Sequence, residues 1–278
     1  MTDWLMVRAV FAAAPPDWSV VAEVFDQFGC PGTVQEDRPP AMSAYLADVP
    51  GSRQTAQALV AALRELGADE VIVEHVPDET WEELWKQHFA ARRIGRRILL
   101  RPTWEPAGNE PDLVEIALDP GRAFGTGEHP TTRLCLCLLE EMDLSGKLVL
   151  DLGCGSGILA IAAKLLGAKS VDASDIDPTS VEVARENAQS NRVEVSFHCN
   201  DGLPNGGGWD IVVSNIISAT LIRLAPEVRE RLLPGGAWIV SGVLNSNRMD
   251  VVNAAERLGF TVEATMEEDD WVAVRFRR

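Results

Sequence analysis

The stretch Val149-Leu-Asp-Leu-Gly-Cys-Gly-Ser-Gly157 limits the fold more than any other in the chain. A strand-length apolar run, Lys147–Leu152, enters three alternating glycines and leaves as an apolar helical segment, Ile158–Leu166, stopped by Gly167. A strand that turns through glycine into a helix opens an α/β unit. The alternation then continues. Ser170–Ser174 reads as a strand and Thr179–Asn191 as a helix. Glu194–His198, Ile211–Ser214, Ala237–Val243 and Trp271–Arg275 read as further strands. Leu221–Leu233 reads as a helix closed by Pro234-Gly235-Gly236, and Val252–Leu258 as another. This is a doubly wound α/β pattern, with ligands expected outside the carboxyl ends of the strands.

The glycine loop carries chemistry as well as a turn. Gly153, Gly155 and Gly157 let backbone approach a ligand closely, and the following helix offers free N–H groups. A dinucleotide loop reads G-x-G-x-x-G, but here the spacing is G-x-G-x-G with Asp151 two residues ahead. A carboxylate there repels a pyrophosphate and suits the ammonium of S-adenosyl-L-methionine. Read alone, the loop is also compatible with a plain structural turn.

Two further carboxyl-end residues narrow that choice. Asp175 closes the next strand, where a carboxylate can accept hydrogen bonds from both ribose hydroxyls of an adenosyl group. Asp177, before Pro178, reads instead as a helix cap. Asn215 ends the apolar strand Ile211–Ser214, where its carbonyl can accept from a target amine and orient the lone pair. The context is not Asn-Pro-Pro-Tyr, which weighs against an amide or nucleic-acid base as target. Ahead of the glycine loop runs Phe124-Gly-Thr126-Gly-Glu128-His129-Pro-Thr-Thr132, a segment suited to fold over a cofactor and exclude water.

The first 75 residues read differently, as strand, helix, strand, strand, helix, strand. The elements are Trp4–Phe11, a helix to about Phe28, Thr33–Glu36, Ala44–Asp48, Ser52–Leu66 capped by Ser52, and Val71–His75. That order matches a ferredoxin-like βαββαβ domain. Residues 76–105 read as an interdomain connector, with a helix opening at Thr80 and the basic run Arg92-Arg93-Ile-Gly-Arg96-Arg97 in an otherwise acidic chain. The net charge of −17 disfavours binding to phosphate backbones. The five cysteines form no C-x-x-C pair, so neither a zinc site nor a disulfide framework is expected. No apolar run reaches membrane-span length and the start lacks signal-peptide character, so a cytoplasmic chain, with no membrane partner, is expected.

Taken together, these segments resemble the PrmA family, methyltransferases of ribosomal protein eleven of the large subunit. The resemblance rests on Asp119-Pro-Gly-x-Ala-Phe-Gly-Thr-Gly-x-His-Pro-Thr-Thr132, Asp151–Gly157, Asp175-Ile-Asp-Pro178, Asn215-Ile216 and the run Trp81…Trp85…Arg96…Pro102-x-Trp104. It covers nearly the whole chain. Glu128 stands where the family usually has Thr, and Ser218-Ala-Thr also departs from its pattern.

The resemblance implies a ferredoxin-like substrate-recognition domain over 1–75, a connector over 76–105 and a Rossmann-like class I methyltransferase domain over 106–278. It implies methylation of lysine side chains and of the N-terminal amine of that ribosomal protein, with cofactor contacts at Thr132, Gly153, Asp175 and Asn215. Phe124, Thr126, Asp151, Gly155 and Gly157 complete the expected cofactor set. Direct displacement at a sulfonium methyl requires no metal and no covalent intermediate, and leaves S-adenosyl-L-homocysteine. Glu128 and His129 are the candidate bases, with proton loss to water as the alternative. A monomer is expected. The rival readings are a methyltransferase for another protein or small-molecule amine, and a non-catalytic adenosylmethionine-binding module.

Overall fold

The computed structural model describes residues 3–15, 18–30, 32–76, 90–108, 113–119, 125, 127 and 129–278. The chain divides into two compact units, Met1–Phe89 and Ala90–Arg278.

The first unit runs β1 (Trp4–Val10), α1 (Trp18–Gln27), β2 (Thr33–Asp37), β3 (Pro40–Ala47), α2 (Ser52–Glu65) and β4 (Glu70–Val76). Its sheet has the order β2-β3-β1-β4, and every neighbouring pair is antiparallel. Alternate residues of β1 (Leu5, Val7 and Ala9) are buried in one cluster with Phe25 of α1 and Leu59 and Leu63 of α2. That follows from the two-residue period of a strand facing the helical stripe.

Two local expectations shift. The strand expected from Ala44 starts at Pro40, because Asp37 pairs with Pro40 and closes a tight hairpin. Proline is tolerated as a first strand residue, and its carbonyl accepts from Phe11 N–H at 2.9 Å. Ser52 is not the cap of α2. Gly51 holds that place in a left-handed conformation, and Ser52 Oγ donates to Asp48 Oδ1 at 2.6 Å.

In the second unit, β5 (Arg92–Ile94), β6 (Ile98–Arg101) and β7 (Val114–Ala117) form a three-stranded sheet. The stretch expected to connect two domains therefore contributes two strands to this unit from Arg92 on. Residues 77–89, including the helix expected at Thr80, lie outside the described residues. Glu140 pins the β5–β6 turn by accepting the N–H groups of Arg96 and Arg97 at 2.7 and 2.8 Å.

Next come α3 (Pro130–Glu140), β8 (Leu148–Leu152), α4 (Ile158–Leu165), β9 (Ser170–Asp175), α5 (Pro178–Ser190) and β10 (Ser196–Cys199). They are followed by β11 (Trp209–Asn215), α6 (Ser218–Arg231), β12 (Leu232–Leu244), α7 (Arg248–Arg257), β13 (Thr261–Glu268) and β14 (Trp271–Arg277). The main sheet has the order β10-β9-β8-β11-β12-β14-β13. The first five strands are parallel, and β14 and β13 close one edge antiparallel. Strand order reverses between β8 and β11, which makes their carboxyl ends the switch point.

The sheet is buried on both faces. One cluster joins Val149, Val213 and Ile239 to α3 and α4; the other joins Leu150, Val212 and Trp238 to α6 and α7. Strands buried on both sides read as continuous apolar runs, which is why β8 and β11 are legible. Pro234-Gly235-Gly236 does not close a helix. It is an insertion within β12, between the pairs Trp209↔Leu232 and Ile211↔Ala237. A Cβ at Gly236 would lie 2.8 Å from Asp210 O.

Helix α4 meets α5 closely at Gly157, the left-handed residue that starts α4 (φ 79°). A Cβ there would stand 2.9 Å from Ala184 Cβ. Gly157→Ala is expected to destabilise the protein by about 1–3 kcal/mol, read from urea unfolding midpoints, because backbone strain and steric contact act together.

Candidate active site

The site is built where β8 ends. The N–H groups of Gly153 and Cys154 both donate to the Ser174 carbonyl, at 2.8 and 3.0 Å. The Gly155 N–H donates to Asp175 Oδ2 at 2.9 Å, and Asp177 N–H to Asp175 Oδ1 at 3.0 Å. Asp175 therefore clamps the glycine loop to the end of β9. An ionised carboxylate has about four acceptor positions, so these two bonds leave capacity for two hydroxyl donors. Asp177 caps α5 by accepting from Thr179 and Ser180 N–H.

The glycines also serve the protein's own packing. Gly153 has φ 81°, and a Cβ on it would meet Ile216 Cγ2 at 2.4 Å. Ile216 directly follows Asn215, so the loop and the end of β11 are in contact.

Asp151 lies on β8 beside Val213 of β11 and Ala173 of β9, with no solvent exposure. Its Oδ2 accepts from Ala160 N–H at 2.9 Å, while Oδ1 is buried without a hydrogen-bond partner. Burial pushes its carboxyl up to about 7; the Ala160 N–H opposes this and the nearby Asp175 adds to it. Neighbouring thiols are held protonated, with burial driving those of Cys135 and Cys154 well above the usual range.

At the other side of the switch point, Asn215 Nδ2 donates to Thr132 Oγ1 at 3.2 Å. Thr132 sits, almost fully buried, in the first turn of α3. The bond fixes the amide and leaves Asn215 Oδ1 as the acceptor. His129 caps α3: its Nδ1 lies 2.8 Å from Thr131 Oγ1 and accepts from Thr131 N–H. Its ring packs edge-on against Trp271, with centroids 4.9 Å apart. Burial, then the charge of Arg133, push its pKa down, with Glu268 opposing, which favours the uncharged imidazole.

Phe124, Thr126 and Glu128 lie outside the described residues. Gly125 touches the site: its carbonyl accepts from Ser156 Oγ at 2.6 Å. Ser156 went unnoticed in the sequence because its partner is 31 residues away. Ile176 and Ile217 also went unnoticed. They follow the ends of β9 and β11 and are 67% and 68% exposed, the most exposed large apolar side chains among the described residues. Apolar residues left in water beside polar strand ends are the available signal.

Asp151 and Asp175 fit the methyl donor better than a dinucleotide: a pyrophosphate brings only acceptors to them, whereas a ribose and an ammonium bring donors. The family described as Ribosomal protein L11 methyltransferase (PrmA) matches residues 17–278.

The chain belongs to the PrmA family.

The Ribosomal protein L11 methyltransferase of Syntrophotalea carbinolica is 37% identical, over 96% of each chain. The protein of that name from Geobacter metallireducens is 44% identical over 72% of this chain and 67% of its own. Among solved structures, the ribosomal protein L11 methylase of Lactobacillus delbrueckii subsp. bulgaricus aligns with a TM-score of 0.65 at 33% identity. That alignment covers 68% of this chain and 99% of the other. The matched span includes both the glycine loop and Thr132.

His129→Ala is expected to lower stability by about 1 kcal/mol through loss of the cap, and His129→Asn to restore most of it. Unfolding midpoints in urea check both.

Proposed function

We propose that this chain transfers methyl groups from S-adenosyl-L-methionine to lysine side chains and the N-terminal amine of ribosomal protein L11 of the large subunit, leaving S-adenosyl-L-homocysteine. The observation that carries the reading is the Asn215–Thr132 hydrogen bond at the switch point, beside a glycine loop clamped by Asp175. S-adenosyl-L-methionine supplies a methyl group already made electrophilic by its sulfonium. What remains for the protein is to hold the donor, orient a neutral amine and keep water out.

Each named residue has a part in that. Asp175 holds ribose hydroxyls with its remaining lone pairs. Asp151 provides a counter-charge for the ammonium. Asn215 Oδ1 accepts from the target amine and aims its lone pair, with Thr132 holding the amide. Phe124 and Thr126 complete the proposed cofactor contacts. A lysine must lose its proton before attack. Glu128 and His129 are the candidates to take it; the Nδ1 of His129 is already occupied by Thr131. Proton loss to water requires neither.

Residues 1–75 are proposed as a ferredoxin-like unit that recognises the substrate. The βαββαβ order and the antiparallel β2-β3-β1-β4 sheet support this. A cytoplasmic monomer acting on the ribosomal protein, with no metal and no direct nucleic-acid contact, completes the proposal. No described helix is long and apolar enough to cross a membrane.

Purified protein, radiolabelled S-adenosyl-L-methionine and L11 test the reading: label is expected in L11. Cofactor binding without transfer to L11 would overturn the substrate assignment. Asp175→Ala is expected to weaken S-adenosyl-L-homocysteine binding roughly 10- to 100-fold, the scale of two charge-assisted hydrogen bonds, read by calorimetry. Asn215→Ala is expected to lower kcat by about 10- to 1000-fold with a smaller change in cofactor affinity.

A further inference from the structure

Asp151 is an unusual group to find in the middle of an α/β sheet. It has no exposure, one oxygen bonded to a single backbone N–H, and one oxygen bonded to nothing. A buried carboxylate requires a cation or several donors to remain ionised. Its surroundings supply neither. On the sheet its neighbours are Val213 and Ala173. From α4 it receives the Ala160 N–H. From α3 it faces Cys135 and from its own loop Cys154, both uncharged thiols. From the end of β9 it faces Asp175, a second acid. Among the described residues no basic side chain acts on it. The chain has 25 Lys and Arg residues, and their ion pairs among the described residues all lie elsewhere.

We propose that Asp151 is an uncharged acid in the free protein and is ionised by the arriving ammonium of the cofactor, so that capturing the cofactor expels one proton to solvent. This rests on the cofactor reading above and adds a proton to it. The O–H bond of the Asp151 carboxyl breaks, its electron pair stays on the carboxylate, and the proton leaves to buffer. The ammonium keeps its own protons and becomes the missing cation. Raising of the carboxyl to about 7 by burial agrees with the geometry and sets the pH range in which the effect is visible. The sign follows. Below that range the proton must be displaced, so affinity rises with pH. Above it the acid is already ionised and the dependence vanishes.

The same proton acts on stability. A carboxyl raised in the folded state contributes stability that is full below its unfolded value, near 3.8, and is lost as pH rises through about 7. The cofactor-free protein therefore loses stability across that window, and Asp151→Asn, which cannot ionise, removes this component.

The test is calorimetric titration of the full chain with S-adenosyl-L-homocysteine, in pairs of buffers of different ionisation enthalpy. At pH 6 close to one proton is expected to be released per molecule bound, and affinity is expected to rise about tenfold per pH unit below 7. Asp151→Asn is expected to bind more weakly at pH 8 and to release no proton at either pH. Tight binding by the wild type with no proton released at pH 6 would overturn the proposal, as would an unchanged proton release in Asp151→Asn. If the variant does not fold, the wild-type buffer pairs decide alone. Absence of any binding by the folded wild type would instead overturn the cofactor reading.

Discussion

The hydrogen bonds that weld the glycine loop to the end of β9 are what the rest of the second unit depends on. Ser174 accepts from Gly153 and Cys154, and Asp175 accepts from Gly155. Without them the chain leaving β8 would have no fixed course, and α4 would have no defined start. With them, Gly157 brings α4 against Ala184 of α5, and Gly153 brings the loop against Ile216. One set of backbone donors thereby ties β8, β9, α4, α5 and the end of β11 into a single rim. The donors satisfy their obligatory hydrogen bonds within the protein, so the loop is shaped before any ligand arrives.

Charge arrangement at this rim is selective. Two carboxylates stand close together, one fully buried and one bonded to the loop. In the proposed reading, a molecule with a positive amino group at one end and hydroxyls at the other matches both. In the proposed reaction that pairing also sets direction, because the donor's tail and ribose are anchored on β8 and β9 while the amine is held on β11 by Asn215. The Thr132 bond means that the helix before β8 takes part in this side of the site, although it precedes the glycine loop in sequence.

Much of this was legible from residue order. Strands β8 and β11 are buried on both faces and read as largely apolar runs, whereas β9 is half polar and was read from its place in the alternation. Asp177-Pro178 announced a helix cap, and the cap is made. Asp175 and Asn215 stand at the ends of β9 and β11, where the sequence pattern placed them. Strand β13 was not legible: Thr261–Glu268 is a largely polar edge strand whose pairing with β14 supplies the order its own pattern lacks. Strands β5 to β7 were missed for a related reason. Each is three or four residues long, and a periodicity cannot be read over so short a span. The Ser156–Gly125 bond and the isolation of Asp151 Oδ1 are tertiary facts, invisible to any local pattern. Sequence order put Asp151 ahead of the loop, but only the fold reveals that it is fully buried with one oxygen unpartnered.

The central claim is that this switch point receives the methyl donor in a set orientation. A crystal structure of the full chain with S-adenosyl-L-homocysteine tests it most directly. Ribose hydroxyls within hydrogen-bond distance of Asp175, with the amino end over the Asp151–Gly157 loop and the sulfur facing Asn215, are the predicted result. A ligand bound away from the carboxyl ends of β8, β9 and β11, or reversed so that its amino end meets Asp175, would contradict the account.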